Sequence, residues 1–252
     1  MLATLSLLAA WAVSTAPSYT AASIGNAATS SAAVLAPNTL TTIYGANLSW
    51  SERALVPSDI RNGKLPYELA GVQVFLGSLR AHVIYASPRQ VNFLVPGTLL
   101  PGEFDLWLTR DGVAGPKVRI RLAESSPGLF GTDAKTVIAT HSDGSMITRD
   151  SAAAPGEIIV LYATGMGRTA PDSQDGEVPT IPARIRKLAD IAILLNEEVL
   201  DASRILYAGV TPGCAGLYQI NFRLPDPLPP NPDIRLFLGA DGTPGGLSLP
   251  TK

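Results

Sequence analysis

The sequence predicts an all-β protein made of two tandem immunoglobulin-like β-sandwiches that arose by internal duplication. Three observations carry this. The stretch Gln90-Val91-Asn92-Phe93-Leu94-Val95-Pro96 returns 129 residues later as Gln219-Ile220-Asn221-Phe222-Arg223-Leu224-Pro225. Only 16% of the 252 residues are charged, against 23 glycines and 21 prolines, a balance that suits short strands and tight turns better than long helices. Apolar residues also alternate in matched segments, Val72, Val74 and Leu76 in the first and Ile191, Ile193 and Leu195 in the second, 119 residues on. A barrel built from the same strands is the alternative arrangement.

Residues 2–13 are an apolar run, followed by small residues at 14–16 and 20–22. That is the layout of a signal peptide, and it is too short for a membrane helix, which needs about 20 apolar residues. Cleavage is expected after Ala22 rather than Ala16, because Pro17 would sit just past the second bond. The expected division is therefore a signal peptide over 1–22, a first sandwich over 23–124 and a second over 125–252. The mature protein is expected to be secreted or to lie at the cell surface, and not to span a membrane.

Residues 23–36, rich in Ala, Ser and Thr, read as an extended lead-in. A strand ending in a glycine turn follows at 39–48 and returns at 157–166, with Tyr44 and Tyr162 118 residues apart. Residues 50–64 read as a loop. Ala81, Val83 and Tyr85 are matched by Ile205 and Tyr207. In the repeated motif Val91, Phe93, Ile220 and Phe222 face inward, and Gln90, Asn92, Gln219 and Asn221 outward. Residues 103–122 form a hairpin turning at 111–115, with Leu108 opposite Val118 and Leu106 opposite Ile120. This register sets Trp107 beside Arg119 and Asp105 beside Arg121. The second copy places Ile234, Leu236 and Leu238 inward and Phe237 in the position of Trp107, and its return strand, ending at Leu249 and Pro250, lacks a full counterpart of Ile120 and Leu122. Residues 124–128 are too short for a flexible tether, so the sandwiches should touch. Within the second copy, 137–140 and 146–148 flank Ser142-Asp143-Gly144 as a small hairpin, 170–182 is a Pro, Asp and Gly-rich loop, and a short helical turn is expected near 184–188.

A net charge of −2 with scattered cations excludes a phosphate-tracking surface, so no nucleic-acid partner is expected. The single cysteine, Cys214, rules out an internal disulfide; such a residue is usually a small buried apolar one, the other readings being a reactive or dimer-forming thiol. Only His82 and His141 could act as a histidine base. His82 alternates outward, His141 lies at a hairpin tip, and no Gly-x-Ser-x-Gly elbow is present, so both read as solvated and no enzyme or cofactor is expected. Asp172, Asp175 and Glu177 concentrate carboxylates beside Gly176, a weak calcium candidate weighed against a solvated acidic loop. Trp107 and Phe237 are outward aromatics: either a sugar stacks on them, or they pack locally, Trp107 against Arg119 as a cation-π pair.

With these residues in view, the chain resembles the Solibacter-type uncharacterised C-terminal domain family of secreted bacterial proteins. The resemblance rests on Gly45-Ala46-Asn47-Leu48, Tyr85-Ala86-Ser87-Pro88, Ser126-Pro127-Gly128-Leu129-Phe130, Tyr162-Ala163-Thr164-Gly165-Met166-Gly167 and Tyr207-Ala208-Gly209, in that order. It implies tandem Ig-like sandwiches and export, and no activity or functional residues. Cys214 departs from it, standing where an apolar residue is expected. Two functional readings remain: a non-catalytic extracellular module for structural or adhesive association with a protein or cell-surface partner, and a carbohydrate-binding module acting through outward aromatics and loops.

Overall fold

A computed structural model describes residues 16–252 apart from 33, 173 and 174. The apolar run at 2–13 lies outside the described residues. The first copy supplies β1 (Ile24–Asn26), β2 (Leu40–Tyr44), β3 (Arg53–Ala54), β4 (Val72–Leu76), β5 (Leu79–Ala86), β6 (Gln90–Leu94), β7 (Gly102–Arg110), β8 (Val113–Ala114) and β9 (Val118–Leu122). The second supplies β10 (Gly128–Leu129), β11 (Ala139–His141), β12 (Ile158–Thr164), β13 (Thr169–Ala170), β14 (Arg184–Ile185), β15 (Ile191–Leu195), β16 (Glu198–Val199), β17 (Ile205–Val210), β18 (Tyr218–Arg223), β19 (Ile234–Leu238) and β20 (Asp241–Gly242).

Strand pairing defines two Ig-like sandwiches. In the first, β1-β2-β6-β5 faces a sheet of β4, β7 and β9, and β5 serves both sheets: Ala81 pairs with Val74 of β4, and His82 with Leu94 of β6. The order is that of the ABED and CFG sheets of an immunoglobulin domain. Its outer strands β1 and β8 stay unpaired with each other, so no barrel closes. The second copy repeats the plan, with β12-β18-β17 facing β16-β15-β19-β20. The duplication extends to an irregularity: the β5–β6 ladder slips at Ile84, between Val83 and Tyr85, and the β17–β18 ladder slips at Leu206, between Ile205 and Tyr207. Tyr85 and Tyr207 then face Asn92 and Asn221, the same position of the repeated motif.

Each sandwich has its own apolar core, one drawn from residues between Tyr19 and Leu122, the other from between Leu129 and Leu249. Val91, Phe93, Ile220 and Phe222 are fully buried, as their alternation requires. Each such side chain stabilises the fold by roughly 1.5–3 kcal/mol relative to exposure.

Four expectations are corrected. The first sandwich begins before residue 23: Ser18 bridges Ala46, and Tyr19 lies in the core with its O–H donating to the Pro116 carbonyl at 2.7 Å and accepting from the Leu108 N–H at 2.7 Å. Burial pushes the Tyr19 phenol up to about 12. The boundary expected after Ala22 thus cuts through packed structure, and the lead-in is partly β1. Second, the 103–122 hairpin turns on Asp111 and Gly112 alone, with φ of +47° and +79°, as a two-residue Asp-Gly turn favours. Arg110 must then pair with Val113, and β9 comes in with Leu106 opposite Val118 and Asp105 opposite Arg119, two residues away from the expected register, so every face is preserved. Third, the short return segment of the second copy forms no strand, as its length suggests, but reaches past Pro250: Ser248 bridges Asp233, Leu249 is fully buried, and Thr251 bridges Ala153 in parallel as Leu122 bridges Leu35. Fourth, Arg184 and Ile185 form β14, and the helical turn is a 3-10 turn at Leu188–Asp190. The small hairpin at 137–148 is present, with Thr140 bridging Met146. Among the described residues no helix is long and apolar enough to cross a membrane.

Candidate functional site at the seam between the sandwiches

The seam is built by the long loop between β13 and β14 of the second sandwich. Its residues cross to the first: Leu65 N–H donates to Gly176 O (2.9 Å), Val178 N–H to Gly63 O (2.8 Å), and Gly97 N–H to Asp175 Oδ1 (3.3 Å). Leu40 N–H donates to Thr164 Oγ1 (2.9 Å), and that hydroxyl donates on to Gly216 O (2.8 Å), tying one sandwich's edge to two loops of the other. Gly176 has φ of +64° and lies directly against the His82 ring, where a Cβ would overlap the imidazole. Gly216 gives way in the same manner to Leu94 and Leu40. Both positions require glycine for close approach.

His82, expected to be outward and solvated, is fully buried. It does point away from its own core, but the loop covers it. Nδ1 lies 2.8 Å from Leu65 O, Nε2 lies 3.2 Å from Asp175 Oδ2, and the Tyr67 ring stacks on it at 4.1 Å. Tyr67 O–H also donates to Asp175 Oδ2 (3.4 Å), and Arg80 lies 4.6 Å over the Tyr67 ring. Burial pushes the Asp175 carboxyl up, but His82, the Gly97 N–H and Tyr67 outweigh it and hold Asp175 below the usual carboxylate range.

His141 is likewise engaged. Nδ1 lies 2.5 Å from Glu157 Oε1, and Nε2 lies 3.1 Å from the Ser151 carbonyl and 3.2 Å from its Oγ. The order Glu, His, Ser is that of a hydrolytic relay. Here, however, a carboxylate and a carbonyl face the two nitrogens, an arrangement that suits the doubly protonated ring, and in that form Nε2 does not accept the Ser151 proton. The Glu157 hydrogen bond raises the His141 pKa above its ordinary value, against burial. Burial pushes Glu157 up, but the Ala154 N–H and His141 hold it low. Glu157 Oε2 accepts from Ala154 N–H as Thr39 Oγ1 accepts from Ala36 N–H in the first copy, which makes the carboxylate a loop-closing acceptor.

The three loop carboxylates do not converge. Asp172 pairs with Arg186 (2.5 Å), Asp175 faces His82, and Glu177 bridges Lys64 through its backbone. No cluster suited to a metal ion occurs among the described residues. Cys214, expected to be buried, is exposed, because Pro212, Gly213 and Cys214 together form an exposed turn. Trp107 stacks on Phe75 (5.0 Å, 4° between planes) and carries Lys117 at 4.9 Å. Arg119 instead pairs with Glu103 (3.2 Å) and Asp105 (3.0 Å), a consequence of the shifted register. Nor does Phe237 stand where Trp107 does: Leu76 pairs with Leu106 and Leu195 with Ile234, which aligns Trp107 with Arg235 and Phe237 with Thr109. Arg235 covers the Phe237 ring at 4.9 Å.

Several cavities open along the seam, two of them beside the loop. One, of about 370 Å³, is apolar, lined by Leu40, Leu55, Ile60, Ile84, Leu217 and the exposed Cys214 among others. The other, of about 250 Å³, mixes Pro37, Leu100, Pro101 and Met166 with Arg168, Arg186, Lys187 and Glu124. The length and Pro/Gly content of residues 170–182 were the only sequence signals that this loop had a separate role.

No protein-family model and no curated protein matches the chain. Among solved structures it is similar to the Bacteroides ovatus mixed-linkage glucan utilization locus SGBP-B, in complex with a mixed-linkage heptasaccharide: 8% identity over 86% of this chain and 44% of that one, TM-score 0.35. It is also similar to the full extracellular region of plexin A4 (7% identity, 94% of this chain and 18% of that one, TM-score 0.30) and to the FN1–FN3 domains of chicken CNTN1 (11%, 94% and 99%, TM-score 0.20). The chain spans less than half the length of the first and less than a fifth of the second. The fold assignment rests on the strand pairing above.

Proposed function

We propose that the protein is a non-catalytic, extracytoplasmic module for structural or adhesive protein association, of the Solibacter-type family that its motifs resemble. The apolar seam cavity carries this reading. Leu55, Ile60, Ile84 and Leu217 are half-buried, so apolar surface stays partly in water at the place where two rigid sandwiches form a concave wall. A surface of that kind marks an association site. Sugar recognition through Trp107 is less supported, since Phe75 and Lys117 already engage its ring.

Cys214 supplies the test. The protein labelled there with a benzophenone maleimide is irradiated with the envelope fraction of the cells that make it, and adducts are identified by mass spectrometry. The expected outcome is one protein adduct that disappears in Leu55→Glu. Retention on envelope polysaccharide with no such adduct would favour the carbohydrate reading instead.

A further inference from the structure

The second seam cavity joins an apolar wall to a cluster of cations, and the commitments of those cations differ. Arg186 is paired with Asp172 and also donates to Thr169 O (3.2 Å); Lys187 is paired with Glu124 at 2.6 Å. Arg168 donates only to the neutral Thr98 carbonyl, at 3.2 Å, and has no carboxylate within ion-pair distance among the described residues. A half-buried guanidinium so placed keeps most of its N–H fork for a planar oxyanion. Arg186 and Lys187 are thus offset by Asp172 and Glu124, which leaves the Arg168 guanidinium to meet an anion.

The opposite wall is apolar. Met166 and Pro37 form its buried part, and Leu100 stands 64% exposed at the rim beside Pro101. At about 250 Å³ the space falls below the ~300–1,000 Å³ of sites for drug-sized ligands, so the occupant is small. Two rigid units form the walls: Pro37, Leu100 and Pro101 belong to the first sandwich, Met166 and Arg168 to the second. The site exists only where they meet.

We propose that this cavity binds a small monocarboxylate carrying a compact apolar group, with the carboxylate on Arg168 and the apolar group between Leu100, Pro101, Pro37 and Met166. The site is separate from the apolar association cavity and does not depend on that reading.

The test is a titration of the full chain, with 13C-labelled methionine and leucine methyls, against 3-phenylpropionate and its neutral isostere 3-phenylpropan-1-ol. The acid is expected to give saturable shifts at Met166 and Leu100 and to bind at least about tenfold more tightly than the alcohol, as loss of a charge-assisted pair predicts. Arg168→Gln, which retains a donor for Thr98 O, should weaken the acid about tenfold and leave the alcohol unchanged. Leu100→Ser, at an exposed position, should weaken both. Equal affinity for acid and alcohol, acetate binding as tightly as phenylpropionate, or an Arg168→Gln protein that holds the acid unchanged would each overturn the proposal.

Discussion

His82 and Arg204 occupy the same position in the two sandwiches, each two residues before the bulge at Ile84 of β5 and Leu206 of β17. Their fates differ. Arg204 is half-buried and donates to the Leu224 carbonyl of its own sandwich at 2.9 Å. His82 is sealed under a loop from the other sandwich and faces Asp175. Both connections lay a short strand on their own sandwich, β3 on β5 and β14 on β17, and the difference lies in the β13–β14 loop, which passes over His82 and bonds to residues 63, 65 and 97. Duplication supplied two equivalent surfaces, and one loop turned one of them into an interface.

The largest expected effect breaks this asymmetry directly. His82→Ala removes a buried ring together with the contacts of its two nitrogens to the Leu65 carbonyl and the Asp175 carboxylate, a cost of about 2–3 kcal/mol. Arg204→Ala should cost about 0.5–1.5 kcal/mol, since Leu224 O loses one partner near solvent. Urea denaturation of both variants decides the matter; equal losses would mean that the seam contributes no more than an ordinary surface contact.

The two histidine–carboxylate pairs should also separate by pH. The Asp175 pKa lies below its unfolded value of about 3.9, so its contribution is present above that pH and is lost as pH falls through the lower folded value. Asp175→Asn should therefore flatten part of the acid limb of the stability profile and leave the rest. His141 titrates the other way. Its folded pKa lies above the unfolded value of about 6.5, so its contribution is full below that pH and is lost as pH rises through the folded value. Glu157, held low, adds an acid limb of its own. Urea midpoints measured against pH should show a decline above about pH 6.5 that His141→Gln removes and Asp175→Asn does not. A decline that survives His141→Gln would place its origin elsewhere.

How much was legible in advance follows the same division between what is local and what is not. Alternation with period two identified the buried faces of β4, β6, β15 and β18 correctly, because a strand's inward side is fixed by its own residues. The burial of His82 was not legible, because the residues that cover it, Asp175 and Gly176, come from far along the chain. Registers failed by two residues where aromatic matching was trusted over turn chemistry: Asp111-Gly112 alone fixes the hairpin, and Phe237 is displaced from Trp107 for the same reason. The Cys214 turn could have been recognised, since Pro212, Gly213 and Gly216 around it signal an exposed reversal. The arginine cavity had no sequence signature at all, being assembled from both sandwiches.

The smallest expected effect sharpens the register itself. With Leu106 opposite Val118, Trp107 is neighboured by Lys117, whose ammonium lies 4.9 Å from the ring centroid. A double-mutant cycle between Lys117→Met and Trp107→Leu should then give a coupling of about 0.5–1 kcal/mol, as exposed cation-π pairs do. The same cycle between Arg119→Met and Trp107→Leu should give nothing beyond ~0.3 kcal/mol, because the Arg119 guanidinium is directed at Glu103 and Asp105. The reverse pattern would restore the register with Trp107 beside Arg119 and move β9 by two residues. In the second sandwich the Arg235 and Phe237 cycle should resemble the Lys117 one, although the two aromatics are not equivalent positions. Matching energies at non-matching sites would show that each sandwich covers its outward aromatic with whichever cation its own register brings near, so the likeness is one of physics and not of inherited position.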